Sequence, residues 1–298
     1  MAVESFSGAD INALPDECIA NVLSLTSPKD ACRLSLVAPS FHSAAQFDAV
    51  WDRFLPSDCR EILSTAFNSA DLLKLSSKKD LYFHLCDHPI VIDGGTKSFS
   101  LEKRSGKKCY MLAPRSLHIT WGDDTRYWNW ISLPQSRFSE VPELSHVWWL
   151  EIRGKICAKL LSPGTNYAAY LVFSLKSNAY GFDSVPIEAS IAISEHEAKT
   201  RSVYLEPREH IVSARQVRQF HHRMPHVMRH NESTPREENA EYQKQRSDHW
   251  MEVELGDIFI STNGEEGCID ISCLEVKEGK VKRGLVVQGI EIRPKEAI

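Results

Sequence analysis

Residues 13–56 read ALPDECIANVLSLTSPKDACRLSLVAPSFHSAAQFDAVWDRFLP, and their punctuation decides the first part of the fold. Leu14-Pro15-Asp16-Glu17 starts a helix with two acidic groups in its first turn, where they oppose the positive end of the helix dipole. Ile19, Val22 and Leu23 give that helix its apolar face. Ser27-Pro28 is an N-cap followed by proline at the first helical position. Ala31, Leu34 and Val37 then recur three residues apart, and Pro39 is expected to close this second helix. A third run, Phe41 to Phe47, leads into Val50-Trp51-Asp52-Arg53-Phe54-Leu55. Further helical pieces are predicted around 58–67 and 78–85.

Beyond about residue 90 the apolar period changes from 3.6 to 2. Leu150, Ile152, Ile156 and Ala158 alternate with Glu151, Arg153, Lys155 and Lys159, which predicts a strand buried on one face. Tyr167–Leu175 is apolar on both faces, as a central strand is. Met251, Val253 and Leu255 alternate with Glu252 and Glu254, a pair expected on an exposed strand face; Ile269, Ile271 and Cys273 alternate with Asp270 and Ser272. Val286, Ile290 and Ile292 belong to a last strand stopped by Pro294. Many short strands separated by turn signals predict a β-sandwich. The switch falls at Asp93-Gly94-Gly95-Thr96, a turn signal. Pro207–His249, rich in Arg, His, Gln and Glu, reads as a long surface loop.

Composition agrees with a two-part globular chain. Its 298 residues are 42% hydrophobic and 25% charged, enough for a core in each part. No run reaches the roughly 18 apolar residues needed to cross a bilayer, and the start lacks a basic and apolar leader. The expected compartments are the nucleus and cytoplasm. Eight cysteines, at 18, 32, 59, 86, 109, 157, 268 and 273, contain no C-x-x-C pair. They read as reduced, mostly buried thiols. Residues 1–90 carry seven Lys and Arg against twelve Asp and Glu. An acidic first domain does not suit phosphate contacts, so nucleic acid is not an expected partner, and neither is a membrane.

The 13–56 string resembles an F-box. The resemblance rests on Leu14-Pro15, Leu23-Ser24, Asp30 with Arg33 and Leu34, Val37 before a Ser/Phe pair, and Trp51 followed by Phe54-Leu55. It implies a short helical bundle docking onto a Skp-type adaptor, and through it a cullin, in a ubiquitin ligase. A bundle this small cannot bury all its large apolar side chains. Leu14, Pro15, Ile19, Leu23, Leu34, Val37 and Trp51 are therefore candidates for the face that meets the adaptor.

Three later blocks resemble the phloem protein 2 family of plant lectins. They are Gly106–Leu112 running into Leu117–Trp128, Trp149–Ile156 followed by Tyr170–Phe173, and Trp250–Asp257 with Gln288–Pro294. The resemblance implies a jelly-roll-like sandwich that binds carbohydrate, with glycans containing N-acetylglucosamine the first expectation. It places Trp121 and Trp128 at the sugar, where an aromatic ring can stack on the apolar face of a pyranose. Asp123, Asp124 and Arg126 lie between the rings. The family's acidic positions fall on Asp257 and, in a loop one residue longer here, on Glu265. Trp148, Trp149 and Trp250 lie in or beside strand patterns that would bury at least some of them.

Other constellations carry less. His221, His222, His226 and His230 have metal-like helical spacing, but Pro225 interrupts them and no thiolate or carboxylate pattern supports a site. No G-x-S-x-G elbow, H-E-x-x-H motif or glycine-rich phosphate cradle is present. Neither a cofactor nor a metal is expected. Asn231-Glu232-Ser233 spells a glycosylation sequon.

The reading is thus a multidomain α + β chain: a helical F-box at 10–56, a helical linker region at 57–92, and an antiparallel β-sandwich lectin domain at 93–298. Its function is read as the non-catalytic substrate receptor of a Skp–cullin–F-box ligase that captures glycoprotein clients. In the alternative, the sugar pocket is non-functional and the client is recognised by its protein surface.

Overall fold

The structure is a computed structural model describing residues 14–72, 74–182, 186–193, 198–206, 240–263, 266–277 and 279–295. The histidine run, the sequon and Glu265 lie outside the described residues. The chain forms two compact units, one taking the chain to Gly94 together with Phe99–Lys108, the other Gly95–Ser98 together with the chain from Cys109.

The first unit holds seven short helices: α1 (Asp16–Ser24), α2 (Pro28–Leu34), α3 (Pro39–Ala44), α4 (Asp48–Phe54), α5 (Cys59–Ser64), α6 (Ser69–Leu72) and α7 (Lys78–Asp87). Ser27 caps α2 by accepting from the Asp30 N–H at 3.1 Å, and Ser77 caps α7 by accepting from that of Asp80 at 3.0 Å. Pro39 does not close α2. It opens α3 from the first helical position, where its missing N–H costs nothing. The 57–92 region is part of the same compact unit as the F-box-like helices.

Trp51 organises this interior. Fully buried, it donates from Nε1 to the Ala45 carbonyl at 2.8 Å, and its ring lies 5.7, 5.2 and 5.1 Å from those of Phe54, Tyr82 and Phe83. Ile19, Ala20 and Leu23 of α1 join this core.

Strands β1 (Ile90–Ile92), β2 (Lys97–Leu101) and β3 (Lys108–Leu112) follow, then β4 (His118–Ile119), β5 (Trp128–Ile131), β6 (Val141–Leu144), β7 (Leu150–Cys157) and β8 (Thr165–Tyr180). The chain continues through β9 (Ile187–Ile193), β10 (Lys199–Tyr204), β11 (Glu241–Tyr242), β12 (Lys244–Gln245), β13 (Met251–Ile260), β14 (Cys268–Glu275) and β15 (Arg283–Pro294). In the second unit one sheet runs β3-β15-β8-β13-β12, with β6 also pairing β15 and β5 pairing β6. The other runs β11-β10-β9-β14-β7-β4. Among the described pairings of the second unit only β10 with β11 is parallel. The chain is thus a mixed α + β protein, short helices first and antiparallel sheets after.

The two sheets face one another closely. A Cβ added to Gly154 on β7 would meet Leu112 and Ile290 side chains at 2.9 and 3.0 Å, and one on Gly256 of β13 would meet Ile191 Cγ2 at 2.5 Å. Central β8 buries Tyr167, Ala168, Ala169, Leu171, Val172 and Phe173 completely, matching its two-faced apolar sequence.

The other side of the first sheet departs from expectation. Glu252 and Glu254 are mostly buried beneath cations instead of standing on an exposed face. Glu252 accepts from Arg246 at 2.6 Å and from Arg293 at 2.6 Å; Glu291 accepts from Arg137, Arg246 and Arg293 at 3.1, 2.7 and 2.6 Å. Arg293 also lies 3.7 Å from the Tyr170 ring centroid. Burial alone would raise the Glu291 carboxyl, but the three guanidinium groups overcome it and hold the pKa down to about 2.

This knot predicts acid sensitivity. A carboxylate whose pKa is depressed on folding stabilises the fold above its ordinary value of 4.5 and loses that contribution as pH falls toward about 2. Melting temperature measured against pH should fall steeply over that window. Glu291→Gln should lower stability at pH 7 by about 3–5 kcal/mol, because buried arginines lose a partner, and should flatten the acid limb.

Candidate functional site

After β4 the chain turns sharply through Thr120-Trp121-Gly122-Asp123-Asp124-Thr125-Arg126-Tyr127. Gly122 N–H donates to the Ile119 carbonyl at 2.8 Å, Asp124 N–H to that of Trp121 at 2.9 Å, and Trp128 N–H to that of Asp124 at 3.0 Å. The winding forces Trp121 to φ 59°, a left-handed value that is uncommon for a bulky residue. A strained backbone that presents a large ring to solvent is characteristic of a site held for use rather than for packing.

Trp121 is 45% exposed, its ring 5.0 Å from that of Tyr127. Beside it lies an open depression of roughly 610 Å³ lined by His118, Ile119, Trp121, Gly122, Asp123, Asp124 and Thr125. Such a shape suits a small polar ligand gripped from one side. The Asp123 side chain is fully exposed, 3.6 Å from Arg115. Asp124 instead accepts two bonds from Arg126 Nε at 3.0 Å and one from Nη2 at 2.6 Å, which lowers its pKa. Arg126 therefore faces this loop with its donors partly engaged.

Trp128 does not share the site. It is 1% exposed and donates from Nε1 to the Thr120 carbonyl at 3.2 Å, so its ring is a strut beneath the turn. Trp130 likewise donates to the Gly122 carbonyl at 2.8 Å, with the Arg115 guanidinium 3.5 Å from its ring centroid. Asp257 is absent from the residues lining the depression. It accepts from Arg201 at 3.1 Å and Lys295 at 3.2 Å. Burial would raise its pKa, but Lys295 and Arg201 overcome this and lower it. Of the implied sugar residues among those described, Trp121, Asp123 and Asp124 line the depression, with Arg126 paired to Asp124.

Side chains the sequence reading put in the strands extend the surface. Ring centroids follow one another from Tyr127 to His146 at 5.9 Å and on to Trp148 at 6.0 Å. Trp148 and Trp149 are 53% and 46% exposed, whereas Trp250 is buried and donates to the Gln135 carbonyl. Trp149 Nε1 donates to Glu151 at 3.0 Å, as does the Thr120 hydroxyl at 3.0 Å. Hydrogen bonding from Arg153 chiefly keeps Glu151 below the usual carboxylate range. Buried Lys282 pairs with Glu275 and donates to the Trp148 carbonyl at 3.1 Å, fixing that loop from within.

The helical unit carries the second candidate surface. Of the seven residues read as adaptor contacts, Ile19, Leu23 and Trp51 are core, because a single apolar face of a short helix packs inward first. Leu14, Pro15 and Val37 are exposed and Leu34 is half-buried. The sequence reading missed that α1 is apolar on two sides. Cys18, Val22 and Leu25 are all exposed at spacings of four and three, flanking the buried Ile19–Leu23 stripe, with exposed Leu14 just ahead of the helix. Leu36 and Val37 expose further apolar surface just beyond α2. Among the described residues no group of three or more His, Cys, Asp or Glu is placed to hold a metal, and no helix is long and apolar enough to cross a membrane.

Comparison with known proteins gives two family matches: F-box domain over residues 11–53 and Phloem protein 2 over residues 107–294. Arabidopsis thaliana proteins match along nearly the whole chain. F-box protein PP2-B1 is 43% identical, covering 96% of this chain and 90% of the relative. F-box protein PP2-B15 is 40% identical, covering 95% and 96%. The overlay on a solved Podospora anserina GH26-CBM35 β-(1,4)-mannanase, TM-score 0.31 at 6% identity over 64% of this chain and 28% of that one, is too loose to bear on the fold.

The different settings of the two tryptophans separate in thermal denaturation. Trp128→Ala should cost about 3–5 kcal/mol by emptying a packed position. Trp121→Ala should leave the melting temperature within about 2 °C of the parent, as expected for an exposed ring.

Proposed function

Because this chain belongs to the phloem protein 2 family and carries an F-box ahead of that domain, we propose that it is a substrate-recognition subunit of a Skp–cullin–F-box ubiquitin ligase that captures clients through their glycans. The observation that carries the glycan part is Trp121, held outward by a left-handed backbone at the rim of a polar depression. Its face offers stacking to a sugar ring, while Asp123, Thr125 and His118 supply hydrogen-bonding groups around it. Tyr127, His146 and Trp148 continue the aromatic surface, room for more than one sugar residue of a chain containing N-acetylglucosamine.

The adaptor part rests on the outer stripe of α1 with Leu36 and Val37. A soluble chain gains by covering such a stripe, and an apolar helix face fits a partner's groove. In this role the protein breaks no bond. It raises the effective concentration of client lysines near a ubiquitin-charged enzyme. Nucleus and cytoplasm are the compartments proposed for this work.

A glycan array probed with the full-length chain tests the client half: Trp121→Ala should remove at least about 90% of specific signal while the fold persists. Retained signal in that variant, or no glycan signal from the folded parent, overturns the reading in favour of protein-surface recognition. For the adaptor half, Val22→Asp with Leu25→Asp should weaken Skp-type adaptor binding more than tenfold in calorimetry without changing the glycan profile.

A further inference from the structure

We propose that Cys157 and Cys268 form a reversible cross-strand disulfide, a modification site on the outer face of the β7–β14 pair. The two residues are direct partners in that antiparallel register. The neighbouring rung fixes the kind of pair they make. Ala158 N–H donates to the Gly267 carbonyl at 3.0 Å, so 158 with 267 is the hydrogen-bonded rung. Cys157 with Cys268 is then the non-hydrogen-bonded rung beside it. In such rungs Cα atoms stand about 4.5 Å apart and side chains are closest, inside the roughly 4.4–6.8 Å that a disulfide spans.

Both thiols lie on one face. Ile156 and Ile269, the next pair, are buried against the sandwich interior, which turns the cysteines outward. Two rungs along on the same outer face, Lys155 and Asp270 reach one another at 3.5 Å, so partners on this face do meet. Register, not exposure, singles the pair out: Cys157 is exposed and Cys268 half-buried, but Cys18 is also exposed and Cys32 and Cys86 are also half-buried, all three on helices, while Cys59, Cys109 and Cys273 are buried.

Peroxide is a sufficient oxidant. The Cys157 sulfur attacks one peroxide oxygen, the O–O bond breaks, and a sulfenic acid and one water result. The Cys268 sulfur then displaces that hydroxyl as a second water, forming the S–S bond. Two thiols lose two protons and two electrons, which hydrogen peroxide accepts. Two molecules of a monothiol such as glutathione reverse the step and leave as their own disulfide. The bond ties the end of β7 to the start of β14 and restricts the unfolded chain, so oxidation should raise the melting temperature by several degrees.

The test treats the reduced full-length chain with hydrogen peroxide, alkylates remaining thiols, and maps peptides by mass spectrometry. The expected result is one cross-linked peptide pair containing Cys157 and Cys268 that vanishes on reduction, with Cys18 still alkylated. Phenylarsine oxide, which bridges closely spaced dithiols, should protect the same two cysteines in the reduced protein. Cys157→Ser and Cys268→Ser should each abolish both results while melting like the parent under reducing conditions. Independent oxidation of the two cysteines to separate sulfinic acids, or equal arsenical protection in the single variants, overturns the proposal.

Discussion

The sandwich depends on β8 being paired along both edges. It pairs with β15 over Tyr167–Leu175 and at Tyr180 on one side, and with β13 over Thr165–Phe173 on the other. A strand so enclosed cannot slip by one residue without turning its whole buried set to the opposite face. Its sequence has no polar face to offer from Tyr167 to Leu171 beyond Tyr170, whose ring is covered by Arg293. The arginine–glutamate knot on that side follows from the same constraint. Glu252, Glu291 and Arg293 stand on β8's two neighbours, where register sets Glu291 opposite Tyr170, Glu252 opposite Val172 and Arg293 opposite Ala168, all on the same face of the sheet.

Much of this architecture was legible in the amino-acid sequence, because hydrophobic period is a local property. The two-faced apolar run of β8, the alternation in β7, β13 and β14, the acidic first turn of α1 and the Ser27 cap of α2 each needed only a few consecutive residues. Pro39 shows the limit even there. The same residue ends one helix or begins another, and its fixed φ suits both; only the packing of Phe41 and Ala44 decides.

The site was harder to read, since the fate of a tryptophan at a strand end is settled at long range. Trp128 and Trp148 both border strands, and neither sequence neighbourhood distinguishes them. Trp128 is drawn inward by the carbonyl of Thr120 across its own turn, while the chain at Trp148 is fixed by Lys282, 134 residues away. Glu252 and Glu254 were hidden for a similar reason. Alternation makes them look solvated, but Glu252 is covered by Arg293 of β15 and Arg246 from the segment before β13, and Glu254 by Arg201 of β10 and Lys295.

Helix α1 has one apolar stripe spent on its own core and a second left in water. For a chain of this kind, solitude is the aggregation-prone condition: at rising concentration the uncovered stripe favours contact with any other greasy surface, including another copy of itself. With a partner over that stripe, cellular abundance would follow the partner's supply, because marginally stable chains are triaged by chaperones and proteases. If an adaptor covers α1 as proposed, the dose of this protein is set by its neighbour's dose, through a helix that is never quite finished on its own.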